Sequence, residues 1–453
     1  VEAEVALHAK LSPFPLPELV WREYWDGQTI NDRRIHLDLD LANAAIELNK
    51  QVREKNLARS SELTGLNNPN SPLQLKDWVN RRGITMATMG KQEIQDTLTA
   101  TTDFIVEEVL ALRLELSKSS VRKYEAMTTS ASPVDSRARG LMQFHGAART
   151  GRWAGRLIQV QNLLCTYLPD LDAARALVKQ RNQTALEMLY DSVPYVLSQR
   201  IRTAFTPKDG CEFIVAEYSA IEARVIAWLA GEDWRLDLFG RGEDIYCQSA
   251  SQMFGVPMEK HGVNAHLRQK GKIAELACGY GGSIGALENM RALRMGLNAE
   301  ELPGLVSAWR EANLSIVKFW WTIDQAAQQT LTSGRPATTH GITFTREAGI
   351  LFCALPSGRR LAYPGATITT SKFGRDVITY QGQNTAKRWD WIETYGPKLV
   401  ENIVQATARD LLAYAIQTVE AKGWPVVMHV HDELIIEVPK SHCDGCAGRV
   451  GFV

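Results

Sequence analysis

Arg268, Lys272, Leu276 and Tyr280 stand four residues apart in the segment LRQKGKIAELACGYGG. On an α-helix such residues share one face, and at about 1.5 Å rise per residue they make a stripe roughly 18 Å long. Two cations, an aliphatic side chain and an aromatic ring would line that stripe in order. Cationic groups suit a phosphate chain, and an apolar or aromatic surface suits a flat base. The stripe is therefore a candidate nucleotide face. A solvated basic edge on a half-buried helix has the same spacing, so the stripe needs partners elsewhere in the chain.

Candidate partners are acidic. Glu217 closes the apolar run CEFIVAE, and Asp432, followed by Glu433, lies within VVMHVHDELIIEV. A carboxylate at the end of an apolar strand is costly unless it is solvated or paired with a cation. Magnesium takes oxygen ligands, typically one or two carboxylates plus substrate phosphates. Carboxylates from separate strands could hold two ions about 3.5–4 Å apart, which suits in-line phosphoryl displacement. Ordinary turn chemistry also accounts for an isolated Asp-Glu pair. A basic stretch adds a further feature: Ser136 to Leu168 carries Arg137, Arg139, Arg149, Arg152 and Arg156 and no acid. With its interleaved glycines and glutamines it reads as a flexible loop or as a surface that tracks a nucleic-acid backbone. Cys443-x-x-Cys446 is a close cysteine pair, but a zinc site needs about four ligands.

These groups must be positioned by a sizeable fold. The chain has 453 residues, 45% hydrophobic and 23% charged, with zero net charge. That is ordinary for a globular protein of about two to four domains and argues against a uniformly basic surface. No apolar run reaches the ~18 residues of a membrane-spanning helix, and no signal peptide opens the chain. Seven scattered cysteines point to a reducing compartment. Residues 1–30 read as Pro-rich after a short helical start. Patterning predicts helices over 38–58 and 92–118, and a turn at Asn67 to Pro72. A strand over 211–217 leads into the helix IEARVIAWLAG, stopped by Gly231. Residues 233–330 read as helical, with Phe319, Trp320 and Trp321 as core, and 335–383 as short strands. A long helix covers 396–421, and VVMHVHDELIIEV reads as a hairpin with His431, Asp432 and Glu433 at its turn. The order predicts an α+β chain whose sheet domain is interrupted by a helical insertion.

VAEYSAIEARVIAWLAGE, RQKGKIAELACGYGG and HVHDELIIEV, in this order, closely resemble motifs A, B and C of family A DNA polymerases, in a phage-type form. TGRWAGRLIQVQNL, SSVRKYEAM and ENIVQATARDLL resemble supporting segments of that family, so the resemblance covers about residues 30–440. It implies a right-hand polymerase fold with a palm sheet, helical fingers and a helical thumb. Residues 1–30 would be the end of a 3′–5′ exonuclease domain and connector, and 31–135 the thumb. The first part of the palm would be 136–234, the fingers 235–335, and the second part of the palm 336–453. The ending is short relative to the family, and Val1 in place of Met fits a piece of a longer protein.

The implied reaction is transfer of deoxynucleotides from dNTPs to a primer 3′-hydroxyl. Glu217 and Asp432, with the Tyr218 carbonyl, would hold two magnesium ions, for which manganese can substitute, and Glu433 would join them as a catalytic residue. Arg268 and Lys272 would grip the triphosphate, Lys272 also protonating the leaving group, while Leu276 and Tyr280 line the nucleotide site. Glu222 would be the steric gate against a 2′-hydroxyl. Arg152, Gln161, Asn162, Gln405 and His431 would hold primer–template DNA. The implied protein is a monomer without membrane contact, in the cytoplasm of a bacterium or phage-infected host.

Two positions depart from the family. Motif A usually carries aspartate where this chain has Glu217, one methylene longer. Leu276 stands where many relatives have an aromatic residue, which implies weaker acceptance of dideoxynucleotides. Two other readings are open: an inert primer–template-binding remnant, prompted by Glu217 and the short ending, and a single-subunit RNA polymerase, against which Glu222 and the His-Asp-Glu motif speak.

Overall fold

The computed structural model describes residues 1–12, 15–163, 166–168, 170–190, 192–290 and 292–442. Cys443 and Cys446 lie outside them; of the cysteines described, Cys211, Cys247, Cys278 and Cys353 are free thiols. Among the described residues no helix is long and apolar enough to cross a membrane.

The chain begins with two helices, Glu2–Leu11 and Glu18–Arg33. Residue 30 thus lies inside a helix, with Val20 and Ile30 buried, where the sequence reads as a Pro-rich connector. The long helix Leu39–Thr64 starts at Asp38, whose carboxylate accepts from the Leu41 amide, and stops at left-handed Gly65 (φ 68°). The predicted helix over 92–118 is two: Lys91–Ala100 and Phe104–Leu116. Asp103 breaks the run by accepting from the Ile105 and Val106 amides, a new N-cap inside an apolar periodicity.

The expected sheet is formed from distant segments. Its order is Val426–Val430, Glu433–Pro439, Cys211–Glu217, all antiparallel. The helices from Ile221–Ala230 to Leu314–Ser333 intervene in sequence. The β-rich stretch does not join this sheet and runs past 383. It makes a four-stranded meander from Ala337–Thr339 to Arg360–Pro364, and a three-stranded sheet of Thr367–Thr370, Asp376–Gln383 and Trp389–Thr394.

Apolar packing divides the molecule. One core joins Leu41, Tyr124, Leu197 and Phe205 to the hairpin residues Val426, Ile435 and Val438. A second joins Ile226, Ile273, Phe319 and Trp320 to Phe344, Tyr363 and Tyr380. A small third core holds Val79, Ile94 and Leu110. Trp321 is not core: it is 48% exposed while Phe319 and Trp320 are buried, because three consecutive helical residues cannot share one face. The helix Gly396–Ala421 ties the first two cores together. Its Leu399, Ile403 and Val404 pack into the second, its Leu412 and Ile416 into the first.

Candidate active site

Register brings the acids together. Glu433 pairs directly with Glu217, and the Tyr218 amide donates to the Asp432 carbonyl at 3.0 Å. The hairpin turn is His431–Asp432, with His431 in the left-handed region (φ 53°); Glu433 is already strand. A non-glycine residue there is uncommon and costs energy, which the paired strands sustain. Like charges facing across an antiparallel pair disfavour each other. Burial, then Glu217, pushes the Asp432 carboxyl above its ordinary range, and burial with Glu217 and Asp432 does the same to Glu433 against the opposing pull of Arg202.

The stripe faces Glu217 and Asp432 across a cleft of about 750 Å³, which Glu433 does not line. Glu217, Glu222, Arg268, Lys272, Leu276, Tyr280, His431, Asp432 and Arg152 all line it. The helix Arg268–Cys278 buries Ile273, Ala274, Ala277 and Cys278 and leaves Leu276 42% exposed. It ends before Tyr280, which stands in the glycine-rich turn rather than on the helix. Gly271 lets this helix approach its neighbour Ile245–Phe254: a Cβ there would lie 2.1 Å from the Tyr246 carbonyl oxygen.

Two contacts qualify the stripe. Arg268 is already engaged, its Nη2 lying 2.7 Å from Asp244 Oδ2. Asp244 also caps Ile245–Phe254, and the Tyr246 ring has Arg268 at 5.1 Å and Lys272 at 5.7 Å. Tyr280 donates its hydroxyl to Glu222 at 2.8 Å, and Arg152 donates to the other Glu222 oxygen at 2.5 Å. Burial and the Glu222 charge hold the Tyr280 phenol protonated well above its usual range. Arg152 is placed from behind, because Arg359 binds the Thr150 carbonyl (2.9 Å) and Arg409 the Gly151 carbonyl (3.1 Å).

Gln161, Asn162, Gln405 and Tyr218 do not line the cleft. Gln161 shares a small adjoining pocket with Arg152 and His431, but its amide is spent on its own loop, accepting from Gly155 N and donating to the Trp153 carbonyl. Asn162 is exposed at the end of the short helix Val160–Asn162. The Gln405 amide donates to Glu401 at 3.4 Å, and the Gln405 carbonyl accepts from Arg152. Tyr218 is 37% exposed at the strand end.

Sequence reading missed Asp244, Tyr246 and the support behind the stripe. There Arg235 and Glu275, both buried, form a two-pronged ion pair at 2.8 and 2.9 Å. Glu275 also accepts from Ser249 and Trp309, and Arg235 donates to Asn313. A detectable signal was Glu275 between Ala274 and the apolar residues that follow, an acid on the buried side of an amphipathic helix.

Among the described residues, no three His, Cys, Asp or Glu side chains close into a metal cage. Glu217 and Asp432 alone suit a hard cation that completes its shell with backbone and phosphate oxygens, as magnesium does. The mutual repulsion at Asp432 is what such an ion would relieve.

A model of DNA polymerase family A matches residues 40–333. The DNA polymerase of Bacillus phage SP02 is 50% identical over 442 residues, which is 97% of this chain and 68% of that protein. The chain belongs to DNA polymerase family A. A thermostable DNA polymerase I of Thermus aquaticus is 27% identical over 256 residues, 55% of this chain and 25% of that protein. The polymerase domain of Pol1 from M. smegmatis, solved with DNA primer-template and dNTP, superposes with a TM-score of 0.63 at 20% identity, covering 97% of this chain and 67% of that one. The mixed helix-and-sheet architecture is thus that of a family A polymerase domain.

Proposed function

We propose that this chain carries out template-directed DNA synthesis, adding deoxynucleotides from dNTPs to a primer 3′-hydroxyl. The observation that carries the reading is one cleft that opposes Glu217 and Asp432 to Arg268, Lys272 and Tyr280. We assign residues 31–135 to the thumb, 235–335 to the fingers, and 136–234 with 336–453 to the palm, of which 443–453 lie outside the described residues. The reaction rests on positioning and on charge placed where charge develops. Arg268 and Lys272 neutralise the triphosphate, Arg268 exchanging Asp244 for phosphate, and Lys272 gives a proton to the departing pyrophosphate. Leu276 and Tyr280 support the incoming base. Glu217, Asp432 and the Tyr218 carbonyl would hold two magnesium ions, which when bound activate the primer hydroxyl and neutralise the reacting phosphate. Glu433 braces the same strand end. His431 approaches the primer terminus, and Arg152, Gln161, Asn162 and Gln405 the primer–template minor groove. The assigned setting is the cytoplasm of a bacterial or phage-infected cell, with the protein acting as a monomer.

Extension of a labelled primer with magnesium, and with manganese, tests the reading: the chain is expected to extend it. Binding without extension, with extension restored by Glu217→Asp, would support the inert remnant, since a displacement near 1 Å can cost about 100-fold in rate. Glu222 gives a sharper outcome. It is fastened by both Arg152 and Tyr280, so it is a rigid floor under the sugar. Glu222→Ala is expected to weaken discrimination against ribonucleotides by roughly 10–200-fold, read as the ratio of kcat/KM for ribo- and deoxynucleotide. An unchanged ratio would remove Glu222 from that role.

A further inference from the structure

The outer face of the sheet that ends at Trp389–Thr394 takes no part in the cleft. This strand and the residue after it read WDWIETY. Side chains alternate along a strand, and Tyr395 keeps extended backbone (φ −156°, ψ 172°), so Trp389, Trp391, Glu393 and Tyr395 share one face. The three aromatics are 67%, 54% and 47% exposed. The opposite face is anchored, with Ile378, Tyr380 and Thr394 buried. Gln383 and Gln381 sit directly across from Trp389 and Trp391, placing amide groups beside the indoles.

Charge and position say what this face would meet. Lys387 and Arg388 form the turn at the Trp389 end, and Lys372 and Arg375 the turn at the other end. At the inner end, Tyr395 leads into Gly396 and Pro397. Pro397 packs on Gly281, where a Cβ would lie 2.6 Å from the Pro397 Cγ, and Gly281 follows Tyr280 of the cleft. The strip therefore runs outward from the wall that holds Tyr280. Exposed aromatics on a sheet, flanked by cations, bind unpaired bases by stacking and their phosphates by charge, with little dependence on sequence. A strand rise of about 3.4 Å per residue sets alternate rings about 7 Å apart, wide enough for successive bases of an extended strand.

We propose that Trp389, Trp391 and Tyr395 form a stacking strip for single-stranded template DNA on its way to Tyr280. The proposal rests on the polymerase reading of the cleft. Glu393 interrupts the strip and faces Thr379, so stacking is assigned to the rings on either side of it.

The test uses the full chain and a Trp389→Ala/Trp391→Ala variant, with primer–templates carrying a one-nucleotide or a fifteen-nucleotide 5′ overhang. Binding by fluorescence anisotropy is expected to be tighter for the long overhang in the parent. The variant should lose about tenfold or more on the long overhang and nothing on the short one. Single-nucleotide extension on the short overhang should be unchanged in the variant, and Trp389→Phe/Trp391→Phe should retain long-overhang affinity. A variant that binds the long overhang as the parent does overturns the proposal and points to a protein partner for the face. Equal losses on both overhangs also overturn it. The short-overhang extension by the parent tests the cleft separately: its absence counts against the polymerase reading, whatever the binding arm returns.

Discussion

Asp432→Asn is expected to lower primer extension on the order of 10³-fold while primer–template affinity stays within about threefold. The isosteric amide keeps the turn, since the Asp432 carbonyl that accepts from Tyr218 belongs to the backbone. It removes the anion. The same substitution should stabilise the folded chain at neutral pH. The folded-state pKa of Asp432 lies above its ordinary value of 3.8, through burial and then the charge of Glu217. Between that value and the raised one the folded protein holds more protons than the unfolded chain, so stability falls as pH rises through the window and the deficit persists above it. Asparagine does not titrate. Thermal melts should therefore show the variant above the parent at pH 7, with the gap closing in acid below the ordinary carboxylate range. Equal losses in extension and in DNA affinity would instead make Asp432 a DNA contact.

Glu275→Ala should reduce folding stability by about 3–5 kcal/mol, measured by chemical denaturation. Arg235 and Glu275 have side chains 1% and 4% exposed, and two hydrogen bonds join them. Removing the acid leaves a buried guanidinium with Asn313 and the Trp234 and Trp309 rings, at 5.1 and 5.3 Å, as its remaining partners. Ser249 and Trp309 lose their acceptor as well. Arg235→Met/Glu275→Leu is expected to recover most of the loss, because the cost lies in the orphaned charge and not in the missing attraction. The helix that bears Arg268 and Lys272 packs over this pair, so the single variant should also weaken dNTP binding, and the double variant much less. A cost below about 1 kcal/mol, the range of an exposed pair, would mean that solvent reaches Glu275.

Legibility followed the range of the interaction. The helix over 396–421 was readable to its ends, since its period, its Pro at the first turn and the following Lys422-Gly423 are local signals. So were the strand 211–217, the Gly231 stop and the hairpin around Asp432. The WDWIETY alternation was equally local, yet the β-like reading stopped at 383, because the polar turn 384–388 interrupts the β-rich run before it. The break at Asp103 was missed because apolar periodicity continues through it on both sides.

What sequence by itself determined here is the inventory: cations at helical spacing, acids at strand ends, and the order of motifs that marks a family A polymerase. Tertiary structure alone decided who holds whom. Arg268 is bound to Asp244, 24 residues away; Glu222 to Tyr280 and Arg152, at 58 and 70 residues; and Glu217 lies opposite Glu433 across the whole helical insertion. Helix and strand periods are set by neighbouring residues and can be read along the chain. The pairing of charges depends on which elements share a core, and the helix Gly396–Ala421, packed into two cores at once, is what brings these segments to one cleft.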